Sequence, residues 1–316
     1  MKLKEALQHF LVADRAPQTQ TTYEKFYPRF AAAIGLERPL HLIHPTDLDA
    51  YVHDLRHQVV KYATHPRRPR EHGRLSPATI TKRIKMIKTF FNWCVTRGYL
   101  DHSPARFLSP QPPKQNIGEG KAISAAEVTA LLEAARDKPR DHAIVLLLSQ
   151  SGCRAGDVAG LRISNLVLSR CRAIVDGKGN KRRTIYFGTE TAEAIQKWLE
   201  SRPTGVKHNY VFTSTRGHGP LKSDSVSQII RRLCKAAGLD RSRGTHCFRH
   251  YVATTLARAN VSPTVIQAYL GHSNVSTTIG YCATVADEDI HAAAELLRGQ
   301  ERKNPAGKII DFPRTG

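Results

Sequence analysis

The stretch "SPQPPKQNIGEGKAIS", residues 109–124, constrains the fold more than any other, because its three prolines and two glycines forbid regular structure. The chain on its two sides must fold as separate bodies. A chain of 316 residues suffices for two domains of ordinary size, each able to bury a core. We place a linker at 108–121, a helical domain over 1–107, a second domain over 122–300 and a tail over 301–316.

The first part reads as helices. Apolar positions recur with helical period in "LKEALQHFLV", in "QTTYEKFYPRFAAAIGL" and in "TDLDAYVHDLRHQVV", where Thr46 is the expected N-cap. In "SPATITKRIKMIKTFFNWCVTRGYL" Ser76 caps, Pro77 fits the first helical position, and Ile80, Ile84, Ile87, Phe91 and Cys94 form one stripe. Lys82, Arg83, Lys85 and Lys88 lie away from that stripe; a solvated basic face and a DNA-facing helix both account for them. "HPRRPREHGR", residues 65–74, is a basic, proline-broken loop, and Arg67, Arg68 and Arg70 are expected along a phosphate backbone.

Beyond the linker the pattern turns mixed. Helices are expected at "SAAEVTALLEAARD" and "RDHAIVLLLSQSG". The alternating runs "CRAIVDG" and "RRTIYFG", joined by "KGNK", read as a β-hairpin. Helices return from about 189, interrupted by a short strand candidate, "YVFTS", at 210–214. The fold class is therefore mainly α with a small antiparallel β-sheet: a helical N-terminal domain, then a mixed α+β domain.

With 41% hydrophobic residues the chain is globular, yet its net charge is +21 and its pI about 10.0. A long polyanion is the most economical partner for such a surface, so nucleic acid is the first hypothesis. Membrane is disfavoured: no apolar run approaches the roughly 18 residues of a spanning helix, and no cleavable N-terminal signal is visible. The six cysteines show no CxxC pairing and no zinc-finger spacing, so reduced thiols in the cytoplasm are expected.

"THCFRHYVATTLARA", residues 245–259, sets two histidines and an arginine in an amphipathic run. Helical spacing gathers Phe248, Val252, Thr255 and Leu256 on one face and His246, Arg249 and His250 on another, which continues as Ala253 and Ala257. The zinc-protease pattern HExxH would need glutamate where Cys247 stands, and Arg249 would repel a cation. Core histidines with an arginine reaching out to water remain an ordinary alternative. An anion site, with arginine and histidine aimed at a phosphate, is the third reading.

Other segments carry matching chemistry. In "SGCRAGDVAGLRISNL" Arg154 follows a buried apolar helix, and Asp157 is a candidate partner that fixes its side chain. "DGKGNKRR" places Lys178 in the hairpin turn, and "YLGHSNVSTTIGY" sets His272 nine residues before Tyr281. A turn lysine usually serves solubility, and a lone tyrosine usually fills space.

In this order, however, "SGCRAGDVAGL", "GKGNKRR", "HCFRH" and "LGHSNVSTTIGY" resemble the four motifs of the tyrosine recombinase (phage integrase) family. The resemblance covers essentially the whole chain and identifies the first domain as a core-binding, SAM-like domain. Cys153, Gly156, Phe248 and Gly280 depart from the family pattern without removing a reactive group. The resemblance implies a catalytic set of Arg154, Lys178, His246, Arg249, His272 and Tyr281, supported by Asp157 and His250. Tyr281 is the nucleophile, His246 takes its proton, Lys178 protonates the departing 5′ oxygen, and the arginines and His272 hold the phosphate. The product would be a 3′-phosphotyrosine, which conserves bond energy for religation, so no cofactor and no metal are expected.

The resemblance further implies a tetramer, of this chain alone or with a related recombinase, on double-stranded DNA at paired recombination sites, exchanging strands through a Holliday junction. An accessory DNA-bending or directionality protein and a nucleoid-associated location accompany the same likeness. The tail, with Ile309, Ile310 and Phe312, is expected to pack on a neighbouring subunit. The chain looks like the simple Xer-type or transposon-borne members, with no room for an arm-binding domain before its first helices. Type IB topoisomerase chemistry and a non-catalytic DNA-binding relative are the alternatives.

Overall fold

The computed structural model describes residues 1–13, 15–57, 60–61, 71–110, 122–176, 182–214, 219–239 and 243–271. The chain divides into two compact units, Met1–Gln115 and Asn116–Gly316.

The first unit is built on four helices, α1 (Leu3–Val12), α2 (Pro17–Ile34), α3 (Pro45–His57) and α4 (Pro77–Thr96). Ser76 caps α4 as its sequence requires, its side chain accepting from the Thr79 backbone N at 3.2 Å. At α3 the expected cap is displaced. The helix starts at Pro45, ahead of Thr46, and Asp47 in the first turn accepts from the His44 backbone N at 2.8 Å. An acid there also suits the positive end of the helix dipole.

The core of this unit is aromatic. Phe10 meets the rings of Tyr23, Tyr27, Phe90 and Trp93 at centroid distances of 5.5, 5.2, 5.4 and 5.2 Å. The hydroxyl of the buried Tyr27 donates to the Met86 carbonyl at 2.8 Å, so the ring is enclosed without an orphaned polar atom. A two-residue antiparallel pair joins β1 (Val60–Lys61) to β2 (Glu71–His72), so Glu71 and His72, read as part of the basic loop, belong to a strand. The hydropathy pattern of the helices gives no sign of that pair.

The second unit centres on α6 (Pro139–Ser151), where Ala143, Ile144, Val145, Leu147 and Leu148 are all fully buried. A helix whose middle, residues 143–148, is apolar all round must be enclosed, and α5 (Ala125–Ala134), α8 (Thr189–Glu200), α9 (Ser223–Ala236) and α10 (His246–Arg258) enclose it. The short helix α7 (Ala155–Gly160) comes directly after α6, and α11 (Pro263–Leu270) packs on α10.

The expected hairpin is present as β4 (Arg172–Asp176) and β5 (Arg182–Tyr186), in antiparallel register from Arg172↔Tyr186 to Asp176↔Arg182. A third strand, β3 (Leu166–Val167), extends the sheet on the β4 side. "YVFTS" forms no strand: Tyr210 and Thr213 each make a single bridge, to Arg162 and Pro220. Its apolar run serves burial, Val211 and Phe212 both being fully enclosed. No described helix is long and apolar enough to cross a membrane.

Candidate active site

Three segments of the second unit meet at one guanidinium. Arg249 on α10 is 2% exposed, and its Nη1 and Nη2 donate to the carbonyls of Gly152 (3.1 Å) and Leu270 (2.7 Å). Gly152 ends α6 two residues before Arg154; Leu270 ends α11 two residues before His272. Arg249 is expected on a polar face, yet it lies inside. Backbone carbonyls left over at helix ends can take up donors of a buried arginine.

The approach of these segments is close. Gly152 has φ +59°, and a Cβ there would stand 2.6 Å from Leu270 Cδ2 and 3.3 Å from Val252 Cβ. Only glycine allows both the left-handed cap and the contact. Ala253 and Ala257 are buried beside Val252, Ile266 and Leu270, as their small side chains suggest, while Thr255, read on the apolar face, is exposed.

Arg154 departs from expectation in the other sense. It precedes α7 and its side chain is exposed rather than buried, so it needs no carboxylate to neutralise it. Asp157 accepts from the backbone N of Arg154 at 2.7 Å and pairs with the guanidinium of Arg183. It thus orients the start of the Arg154 helix through the main chain and leaves the Arg154 side chain to reach outward.

His246 opens α10, its ring edge-on to that of His250 at 5.6 Å and 77°. Partial burial first, then the positive charges of Arg249 and Arg154, hold its pKa below the usual histidine value. A neutral imidazole flanked by two guanidiniums accepts a proton near pH 7, and the guanidiniums hold an oxyanion. Thr245 gives α10 no side-chain cap, so the positive end of the helix opens at the same place.

Two reactive-looking groups nearby are structural. The Tyr269 hydroxyl lies 2.9 Å from the Gln150 carbonyl and 3.1 Å from that of Tyr186, and burial, then the neighbouring Cys153, raises its pKa. Burial, then the Asp157 charge, pushes the Cys153 thiol up to about 12, so it acts as a small apolar side chain where the family pattern has leucine.

Lys178, His272 and Tyr281 lie outside the described residues, as do Arg67, Arg68, Arg70 and the tail. In the first unit Lys82 and Lys85 are exposed on α4. Lys88 instead donates to the carbonyls of Arg106 (3.2 Å) and Leu108 (3.0 Å), tying down the turn that leads to the linker. Arg83 is half-buried, and burial, then the charge of Arg29, lowers its pKa against an opposing effect of Tyr51. Arg183 is not among the expected site residues. The signal is present in "RRTIYF", where alternation puts it on the inward face with Ile185.

The phage integrase family matches residues 121–288. The chain is 31% identical over 214 residues to the tyrosine recombinase XerC of Alcanivorax borkumensis, a match covering 65% of this chain and 69% of that protein. It is 32% identical over 255 residues to the tyrosine recombinase XerC 2 of Ralstonia nicotianae, covering 77% and 70%. The Tn1549 transposon integrase, solved in complex with transposon right end DNA, shares the fold at a TM-score of 0.71 and 19% identity, over 92% of this chain and 100% of that one.

Proposed function

The chain belongs to the phage integrase family of tyrosine recombinases, enzymes that cleave and rejoin DNA, and on that premise we propose that Arg154, His246 and Arg249 hold the scissile phosphate for attack by Tyr281. The observation that supports this is the setting of His246, kept neutral beside two arginines. Tyrosine has an ordinary pKa of about 10, so its hydroxyl needs an acceptor at neutral pH. The tyrosyl oxygen forms a bond to phosphorus, its proton passes to His246, the bond to the 5′ oxygen breaks, and Lys178 protonates that oxygen. His272 donates to the phosphate. Reversal of these steps with a new 5′ hydroxyl rejoins the strand, with no change in the number of phosphodiester-level bonds.

The enzyme works on two duplexes, as a tetramer at paired sites, with strand exchange through a Holliday junction. The tail from 301 to 316 packs on a neighbouring subunit, and an accessory DNA-bending or directionality protein sets the outcome. Binding is dominated by phosphate contacts, so its logarithm falls with that of salt concentration by about 0.9 per phosphate neutralised.

The test is covalent trapping on nicked duplexes drawn from DNA flanking the gene. A detergent-resistant adduct joined through a 3′ phosphate is expected with the natural protein and none with Tyr281→Phe. Because the His246 pKa is lowered, trapping should hold steady through neutral pH and fall only at pH values below the ordinary histidine range. An adduct that persists in Tyr281→Phe, or an acid limb unchanged in His246→Gln, would sink the assignment.

A further inference from the structure

The inward face of the β4–β5 hairpin carries Ala173, Val175 and Ile185, all buried, and Arg183, which stands directly across from Val175. An arginine in that row breaks the apolar pattern, and its side chain is only 15% exposed. Its Nη2 donates to Asp157 Oδ2, the same oxygen that accepts from the Arg154 backbone N, while Nε and Nη1 are buried with no hydrogen-bond partner among the described residues. Two orphaned donors make this a poor choice for stability alone, since an apolar side chain would fill the row without that penalty.

The same side chain presses on a third segment. Gly271 ends α11 with φ +64°, and a Cβ there would stand 2.6 Å from Arg183 Cδ and 3.2 Å from Nε. Arg183 therefore lies across the residue that precedes His272 in the sequence, on a strand whose first residue, Arg182, comes four positions after Lys178. It joins, through one carboxylate and one bare glycine, the start of the Arg154 helix, strand β5 and the end of α11.

We propose that Arg183 is a positioning residue for strand cleavage, setting the start of the Arg154 helix through Asp157 and the end of α11 through its contact with Gly271. The inference rests on the phosphotyrosine reading above. Lysine at 183 keeps the charge but has no planar fork to serve Asp157 while lying flat on Gly271; methionine keeps the packing and loses both the charge and the donors.

The experiment compares wild type, Arg183→Lys, Arg183→Met and Gly271→Ala in single-turnover adduct formation on nicked duplex at saturating DNA, with DNA affinity and thermal unfolding measured alongside. We expect adduct formation to fall roughly 10- to 100-fold in Arg183→Met, less in Arg183→Lys, and to fall also in Gly271→Ala, with DNA affinity within about twofold of wild type. In an Arg154→Lys background, Arg183→Met should cost much less than it does alone, because both act on one element. A rate unchanged at saturating DNA would overturn the proposal, as would full additivity with Arg154→Lys. So would a loss that tracks DNA affinity and unfolding temperature together, which marks a structural residue only. If Arg183→Met fails to fold, the Arg183→Lys and Gly271→Ala comparison decides by the same criteria. Wild-type protein that forms no Tyr281-dependent adduct would instead overturn the underlying reading.

Discussion

The two units of this protein are held together differently. The first buries a cluster of aromatic rings around Phe10, Tyr27, Phe90 and Phe91, and Thr81 is its one buried polar residue among those described. The second buries Arg140, Asp141, Ser149, Ser151, Asp157, Thr191, Thr213 and Arg249 along with its aliphatic core. Arg140 shows how this is tolerated: its Nε and Nη2 bond Asp141 Oδ1 at 2.8 and 2.7 Å, and its Nη1 bonds the Thr213 carbonyl at 3.0 Å. Apolar packing stabilises without direction, whereas hydrogen-bonded buried charge fixes one geometry. The unit proposed to hold the phosphate is the one that carries the buried charge.

The largest expected effect lies in the aromatic unit. Phe90 is fully buried, and Phe90→Ala should destabilise that unit by about 3–5 kcal/mol, read as a shift in its denaturant midpoint. The loss should be nearly independent of pH between 5 and 8 (about the range in which only histidine titrates). A strongly pH-dependent loss would mean that ionised groups support this core too, and the contrast between the units would fail.

Next comes the buried arginine. Arg249→Met leaves the carbonyls of Gly152 and Leu270 without their donors, and should destabilise the second unit by on the order of 3 kcal/mol as well as abolishing cleavage. If Arg249→Met were as stable as wild type, the polar hub would serve catalysis alone. A smaller effect separates backbone strain from close approach. Gly152 and Gly205 both have positive φ, +59° and +84°, but of the two only Gly152 has neighbours within 4 Å of the place a Cβ would take. Gly205→Ala should cost about 1 kcal/mol for the backbone alone, and Gly152→Ala about 1–2 kcal/mol more, both from thermal unfolding.

The same contrast explains how much is legible in the residues. The stripe from Ile80 to Cys94, the Ser76 cap and the hairpin strands arise from local hydropathy and capping, which need no distant partner. The places of Arg249 and Arg183 do not, because a buried guanidinium looks like a surface one until its partners are known. Two of the partners of Arg249 are backbone carbonyls, which every sequence supplies. Arg154 and Lys88 exchange the expected roles for the same reason: Arg154 points out, and Lys88 is retained by carbonyls of its own unit. "YVFTS" reads as a strand because buried single bridges and strand pairing share one apolar signature.

The smallest effect tests the charge network at its edge. Ser124 and Glu127 form a capping box at the start of α5, with the Ser124 N to Glu127 Oε2 distance at 2.7 Å. Glu127 Oε1 also accepts from Arg243 Nε and Nη2, at 3.0 and 2.7 Å, and the Ile123 N reaches the Cys247 carbonyl at 3.4 Å. Residues just after the linker are thereby tied to the start of α10. Burial raises the Glu127 pKa, but the hydrogen bonds from Ser124 and Arg243 and the Arg243 charge outweigh it, leaving the pKa below the usual carboxylate value. A carboxylate whose pKa is lowered by folding adds stability that is complete above its ordinary pKa and is lost as pH falls through the lowered one. Glu127→Gln should therefore cost up to about 1 kcal/mol at pH 7, since the pair is partly exposed to solvent. The difference from wild type should shrink as pH falls below about 4 and the natural carboxyl itself becomes protonated. Unfolding midpoints of both proteins at pH 7 and at several pH values below 4 check it, and a difference that stays constant would show that Glu127 acts by shape rather than by charge.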